Sequence, residues 1–251
     1  HDRTFGTNAK AWDWCSVNNA GFEYYQNAKK DGIGLPPHNP RIWVFRHQSN
    51  ASCAPMLRRV WHPIGYSSNS GWSNFFINIT AGRLLTYTNT LLKFALPDIV
   101  IGTGGGYNTY DIYESVNHEL SHASHFNKVG SAFWAKYVNY IITYGKKYDH
   151  PYGDASCNNS GFCGVGEMWG YAMGYIRTYE KYQQKPKNGQ SKWFQPNLLY
   201  DLMTEKILTK KQIFDCLSSD VTSHALLKQK MISRYPSKKD SIIAKFSRYG
   251  F

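Results

Sequence analysis

Acidic side chains are scarce in this chain: 17 Asp and Glu stand against 29 Lys and Arg in 251 residues, a formal net charge of +12. That excess favours anionic surroundings such as cell-envelope polymers, acidic glycans, anionic lipid surfaces or nucleic acid, without choosing among them. Charged residues of both signs reach only 18% while aromatics reach 16%, a balance that excludes a disordered chain and indicates a globular one with a substantial core. No apolar run approaches the ~18 residues of a membrane-spanning helix. The five cysteines contain no C-x-x-C pair, which argues against a zinc ribbon or a dithiol redox motif. Cys157 and Cys163 are close enough to close a small loop, and Cys15 could pair with Cys53, leaving Cys216; reduced thiols are equally allowed. Gly102-Thr-Gly-Gly-Gly106 lacks the Gly-Lys-Ser/Thr of a P-loop, and Tyr107 stands where a dinucleotide fingerprint needs glycine. The run reads instead as a flexible approach to the next helix, a cleft rim.

What the chain does carry is His118-Glu119-Leu120-Ser121-His122, inside a stretch from Asp111 to Asn127 free of Pro and Gly. Asn108 or Thr109 can cap its start, and Gly130 follows its end. Ile112, Val116, Leu120 and Ala123 give it an apolar stripe. Residues four apart on a helix lie one above the other, so the imidazoles of His118 and His122 can converge on one metal ion. Glu119, about 100° around the axis, stands beside that ion, where a general base takes a proton from water. The plain alternative is a buried helix whose histidines only hydrogen-bond to neighbours.

A catalytic zinc site has three protein ligands and an open position, so a third ligand is required. His125 lies about 10 Å along the axis from His118, too far to share one tetrahedral ion. The metzincin pattern H-E-x-x-H-x-x-G-x-x-H fails, because His125 and Lys128 occupy its glycine and last histidine positions. Asp149, His150, Asp154, Cys157 and Cys163 stay open. Glu167 is the better candidate, at the head of a second helical pattern that runs to about Tyr182. Its plain reading is a helix N-terminal carboxylate favoured by the macrodipole.

In these residues the chain resembles the gluzincin branch of zinc metallopeptidases, in which H-E-x-x-H is completed by a Glu from a later helix. The run His118 to Phe126 followed by Glu167-Met-Trp-Gly-Tyr-Ala is also similar to a group of largely uncharacterised, exported bacterial metallopeptidases. The likeness extends from Asp111 to Tyr182. It implies that His118, His122 and Glu167 bind Zn2+ and that Glu119 is the base. It also implies an α+β, zincin-like fold: an N-terminal lobe, 1–128, with a small mixed sheet and the active-site helix, and a mainly helical lobe, 129–251, supplying the third ligand. A peptide or protein substrate and an extracytoplasmic or secreted location follow from the same likeness. Thermolysin-like members carry a carboxylate four residues after the ligand Glu; this chain has Tyr171 there.

An oxyanion donor is also needed, and Tyr171, Tyr175, His125 and His224 are the candidates, with Tyr171 on the face of Glu167 one turn later. Glu114, one turn before His118, can take the other N–H of a metal-bound imidazole or be a surface carboxylate. His125 is a candidate for the same supporting shell or for substrate contact.

Elsewhere, 8–28 reads as partly helical and 32–40 as a turn-rich connector. Strands are expected at 41–46, around 56–61 and at 75–80, and a helix over 81–94. Ile99 to Gly102 is a short strand just before the metal helix. In zincin folds a sheet edge there pairs with an extended peptide, so the strand is either that edge or an ordinary interior strand. The helix over 131–144, with Phe133, Tyr137, Tyr140 and Ile141, reads as core, as do Trp169, Met173 and Tyr175. Gly170 and Gly174 allow close helix packing. Short helices fill the stretch from Pro196 onward, and the pair over 210–232 has the cadence of a DNA-binding motif. No glycine marks its turn and positive charge is spread along the chain, which argues against nucleic acid. The expected function is a zinc-dependent peptidase. Its rivals are a non-catalytic, zinc-stabilised module presenting aromatics to glycan or peptide, and a metal-dependent amidase acting on a non-peptide bond.

Overall fold

The computed structural model describes residues 10–46, 52–60, 96–104, 106–148, 152–185 and 192–251. The strand expected at 75–80, the helix over 81–94, and the ligand candidates Asp149 and His150 lie outside these residues. The described chain is mostly helical with a two-stranded parallel sheet, α+β in the coarse sense.

Helix α1 (Lys10–Asp31) has Asp13 in its first turn and Lys29 and Lys30 in its last, the order the helix dipole favours. Gly32, at φ +67°, ends it: its N–H reaches Lys29 O while that of Ile33 reaches Ala28 O, satisfying two orphan carbonyls. Strands β1 (Ile42–Phe45) and β2 (Ile99–Gly102) pair in parallel, Ile42 against Ile99 and Phe45 against Gly102. Between them lies a correction. The strand expected around 56–61 is a short helix, α2 (Leu57–Val60). Met56 turns the chain at φ +53° and its carbonyl accepts the N–H groups of Arg59 and Val60. The buried set Met56, Leu57 and Val60 has the spacing of a helical face.

All four residues of β2 are buried. On the side away from β1, Val100 exchanges two backbone hydrogen bonds with Cys53, at 2.9 and 2.8 Å, and the carbonyl of Asp98 accepts from Met56 N–H. The edge a peptide would need is therefore taken, so β2 is an interior strand and does not offer Ile99 to Gly102 to substrate. Asp98 anchors its start: the fully buried carboxylate meets Arg58 Nη2 at 2.9 Å, Arg59 Nε at 3.2 Å and the Arg41 N–H at 3.0 Å.

Helix α3 (Thr109–Tyr148) is capped by Asn108, whose Oδ1 accepts from the N–H groups of Tyr110 and Asp111 at 2.8 and 3.1 Å. Gly130, at φ 82° and ψ 175°, breaks it into two arms, 109–129 and 131–148. Helix α4 (Ser160–Tyr182) packs along both arms. Helices α5 (Asn197–Thr204), α6 (Lys210–Cys216), α7 (His224–Arg234) and α8 (Lys239–Arg248) complete the chain. A Thr209–Gln212 capping box starts α6 and the Ser223 hydroxyl caps α7.

One cluster of buried apolar side chains runs from Val17 of α1 to Phe246 of α8. The expected lobe boundary at 128/129 falls inside α3, next to the Gly130 kink, and this cluster extends on both sides of it. All five cysteines are free thiols, the reduced alternative of the two that the spacing leaves open. Among the described residues no helix is long and apolar enough to cross a membrane.

Candidate metal centre

The first arm of α3 sets His118 and His122 one turn apart on one face, with their Nε2 atoms 2.9 Å from each other. Both rings are buried. From α4, Glu167 Oε2 comes to 3.5 Å from His118 Nε2 and 3.6 Å from His122 Nε2. These three edges bracket the ~3.3 Å separating ligand atoms around a tetrahedral ion with bonds of about 2.0–2.1 Å. Glu119 Oε1 stands 3.8 Å from His118 Nε2. His118, Glu119 and His122 thus form a buried group that could hold a metal ion. Two carboxylates compete for its third position, and Glu167 lies nearer to the imidazoles than Glu119 does.

Glu167 is not a first-turn carboxylate. Helix α4 begins at Ser160, so Glu167 is about two turns inside it and buried, and the macrodipole does not account for it. Its Oε1 accepts a hydrogen bond from the hydroxyl of Tyr137, on the second arm of α3.

The electrostatics separate the two carboxylates. Burial pushes Glu167 up, but His122 and His118 outweigh it and hold the group well below the ordinary carboxylate range. Glu119 is pushed well above that range by burial and by the charge of Glu167. Burial and the neighbouring His122 bring His118 down to about 4. The two neighbouring carboxylates are thus shifted in opposite directions.

The residues fit a cation. Glu167 Oε2 and Glu119 Oε2 are buried with no hydrogen-bond partner, and such an orphan acceptor costs about 1–3 kcal/mol. A divalent ion among the two Nε2 atoms and Glu167 Oε2 would satisfy the latter, and imidazole with carboxylate is a donor set that suits zinc.

The centre opens into a cleft of about 490 Å³, whose lining includes His118, Glu119, Glu114, Tyr107, Tyr152 and Tyr171. Tyr107, the residue after the glycine run, is part of that lining. The ring of Tyr171 meets that of His118 edge-on at 4.3 Å, and its hydroxyl is 2.9 Å from that of Tyr152. Burial raises both phenols, so they remain protonated donors. Glu114 lines the same cleft one turn before His118, and burial together with its charge raises the Tyr110 phenol.

The other expected donors lie elsewhere. His125 is fully buried against Phe133 and Trp134, at 5.4 and 5.7 Å between rings. Two helical turns beyond His118, it packs into the core and does not line the cleft, which corrects the expectation of substrate contact there. His224 stacks on Phe251 at 4.1 Å, and Tyr175 is buried beside Tyr171. Of the four oxyanion candidates only Tyr171 lines the cleft. Among the remaining ligand candidates, Asp154 turns its Oδ1 to the N–H and hydroxyl of Ser156.

Three residues of the site are absent from the sequence-based expectations: Tyr137, Tyr152 and Lys192. Tyr137 shares the spacing of core aromatics, and Lys192 sits in a charged run that reads as a solvated face. Comparisons with protein-family models, with curated proteins and with solved structures find no match to this chain.

Proposed function

We propose that this protein is a zinc-dependent hydrolase, and specifically a peptidase, with His118, His122 and Glu167 as the metal ligands. The observation that carries the reading is the placement of the two buried carboxylates, Glu167 Oε2 at 3.5 and 3.6 Å from the two imidazole nitrogens and Glu119 Oε1 at 3.8 Å from His118 Nε2. Glu167 Oε2 points between both imidazoles, and Glu119 stands one step away with its proton affinity raised. Zinc in such a site supplies a Lewis acid and brings water to a pKa near ~7. Glu119 takes the proton of the attacking water and hands it to the leaving amine, a contribution of roughly 10²–10⁴ in rate. The Tyr171 phenol, kept protonated and held by Tyr152, donates to the carbonyl oxygen as charge develops there, which is typically worth ~3 kcal/mol. Tyr137 holds Glu167 in place through its second oxygen.

Anomalous scattering at the zinc edge, from crystals grown without chelator, tests the ligand set. Peptide-library cleavage against a Glu119→Gln control then tests the chemistry. Zinc on His118, His122 and Glu167, with cleavage lost in the variant, is the expected result. A site that stays empty after zinc soaking, or a Glu167 side chain turned away, sinks the proposal and leaves the binding module. Cleavage of non-peptide amides alone moves it to the amidase.

A further inference from the structure

Lys192 lies on the wall of the same cleft. Its ammonium sits 4.6 Å from the centroid of the Tyr171 ring, 4.9 Å from that of Tyr152 and 5.9 Å from that of Phe194. Aromatic faces hold a cation by their quadrupole and fix the end of an otherwise floppy side chain. Elsewhere Lys181 pairs with Glu23, Lys210 with Asp31, Lys211 with Asp215, Lys230 with Asp220 and Lys245 with Glu205. Among the described residues, no carboxylate lies within ion-pair distance of Lys192. Its charge nevertheless reaches the metal group: it bears on His118, and Glu167 bears on it. A cation that is ordered, partly desolvated and unpaired beside a reactive centre is prepared for an anion that arrives with the ligand.

We propose that Lys192 is the anion seat of the cleft and binds a carboxylate of the substrate next to the His118–Glu119–His122 group. The word substrate rests on the hydrolase reading; the seat itself does not. One ammonium held over two phenol rings, whose hydroxyls bond each other, suits a monoanionic, planar acceptor, whereas a phosphate dianion is ordinarily met by Arg forks or by a helix N-terminus. The carboxylate can be the C-terminus of a peptide or an Asp or Glu side chain beside the scissile bond.

Binding of N-acetyl-phenylalanine and of its amide, measured by NMR titration of the metal-free and zinc-loaded protein, tests the seat without requiring turnover. The acid is expected to bind roughly tenfold or more tightly than the amide in both forms. Lys192→Met should abolish that preference in the metal-free protein without changing the melting temperature, and Lys192→Arg should keep part of it. No preference in the metal-free wild type, or an equal preference in Lys192→Met, overturns the proposal. Peptide pairs with a free or amidated C-terminus, and with Glu or Gln next to the cleaved bond, identify the source of the carboxylate. The pair whose difference disappears in Lys192→Met names it, and if neither changes the seat does not serve the substrate. A wild type that cleaves no peptide yet keeps the acid preference removes the peptidase reading and leaves the seat standing.

Discussion

Gly170 faces the imidazole of His122 with no side chain between them: a Cβ built on it would lie 2.7 Å from both Cε1 and Nε2 of His122 and 3.2 Å from Cε1 of His118. Helix α4 can come this near to α3 only at a residue without a side chain. The approach matters because Glu167 sits three residues earlier on the same face of α4. The glycine therefore sets the distance at which the carboxylate meets the imidazoles.

Gly170→Ala is accordingly expected to weaken zinc binding by a hundredfold or more. In an unconstrained helix the change would gain ~1 kcal/mol from helix propensity. Here an overpacking cost of about 1–3 kcal/mol opposes it, and the ring that must move is the one bearing the ligand nitrogen. Chelator competition gives the affinity, and urea unfolding of the metal-free protein gives the stability. Gly174→Ala is the control, since the atoms nearest its Cβ are Glu114 O at 3.2 Å, Glu114 Cγ at 3.4 Å and His118 Cβ at 3.5 Å, none as close as the ring of His122 is to Gly170. Wild-type zinc affinity in Gly170→Ala would show that these rings are not the ligands.

Tyr137→Phe removes the donor on Glu167 Oε1 and nothing else of size. A buried carboxylate oxygen is left without its hydrogen bond, so about 1–3 kcal/mol of stability should go. Loss of an outer partner of a metal ligand typically costs 10–100-fold in affinity, roughly what zinc titration of this variant should read. An unchanged affinity would mean that Glu167 needs no orienting partner or is not a ligand.

The helices of the site are legible in the sequence because each carries its own punctuation. Asn108 caps α3, Gly130 breaks it, and the four-residue spacing of His118 and His122 has one geometric meaning on an unbroken helix. Glu167 is less legible: a later carboxylate can be picked out, but its distance to the imidazoles depends on how α4 lies on α3. Tyr137 is not legible at all, since a tyrosine at core spacing does not say which atom its hydroxyl will meet. The β2 edge fails for a similar reason. The backbone that covers it comes from Cys53 and Met56, and nothing in Ile99 to Gly102 indicates them. Met56 to Val60 looks like a strand because an apolar run this short fits either period, and the positive φ of Met56 decides the matter.

Acid should destabilise the metal-free protein well before its ordinary carboxylates titrate. Burial brings His118 to about 4, His125 to about 3 and His224 to about 4, against 6.5 for a free imidazole. Between those values and 6.5 the folded chain holds fewer protons than the unfolded one. The stability these groups allow is therefore complete above pH 6.5 and is lost as pH falls towards 4. Each contributes up to ~1.4 kcal/mol per pH unit inside the window. Glu119, with its affinity raised, acts in the opposite sense but is one group against three. Urea midpoints at pH 7, 6 and 5 in the presence of chelator should fall in that order, and His125→Phe should flatten the slope. A flat wild-type profile would mean that these imidazoles are not held neutral by burial.

Glu119→Gln separates the roles of the two carboxylates, because one substitution should move stability and activity in opposite directions. Glu119 is buried, its proton affinity is raised by burial and by Glu167, and its Oε2 has no partner. A raised carboxyl favours the folded state below its unfolded pKa, and that benefit is lost as pH rises through the folded value. At neutral pH the residue is thus a burden on the metal-free fold. Glutamine keeps the shape without the titration, so the metal-free variant should be more stable at pH 7 by about 1–2 kcal/mol, a gain that shrinks towards pH 4.5. Zinc should still bind within severalfold of wild type, since His118, His122 and Glu167 are untouched. Peptide cleavage should drop by roughly 10²–10⁴ with the loss of the base. Had Glu119 been the third ligand, zinc affinity would collapse together with activity, and Glu167→Gln would be the variant that keeps its metal. Measuring zinc affinity in both variants therefore decides which carboxylate binds and which accepts the proton.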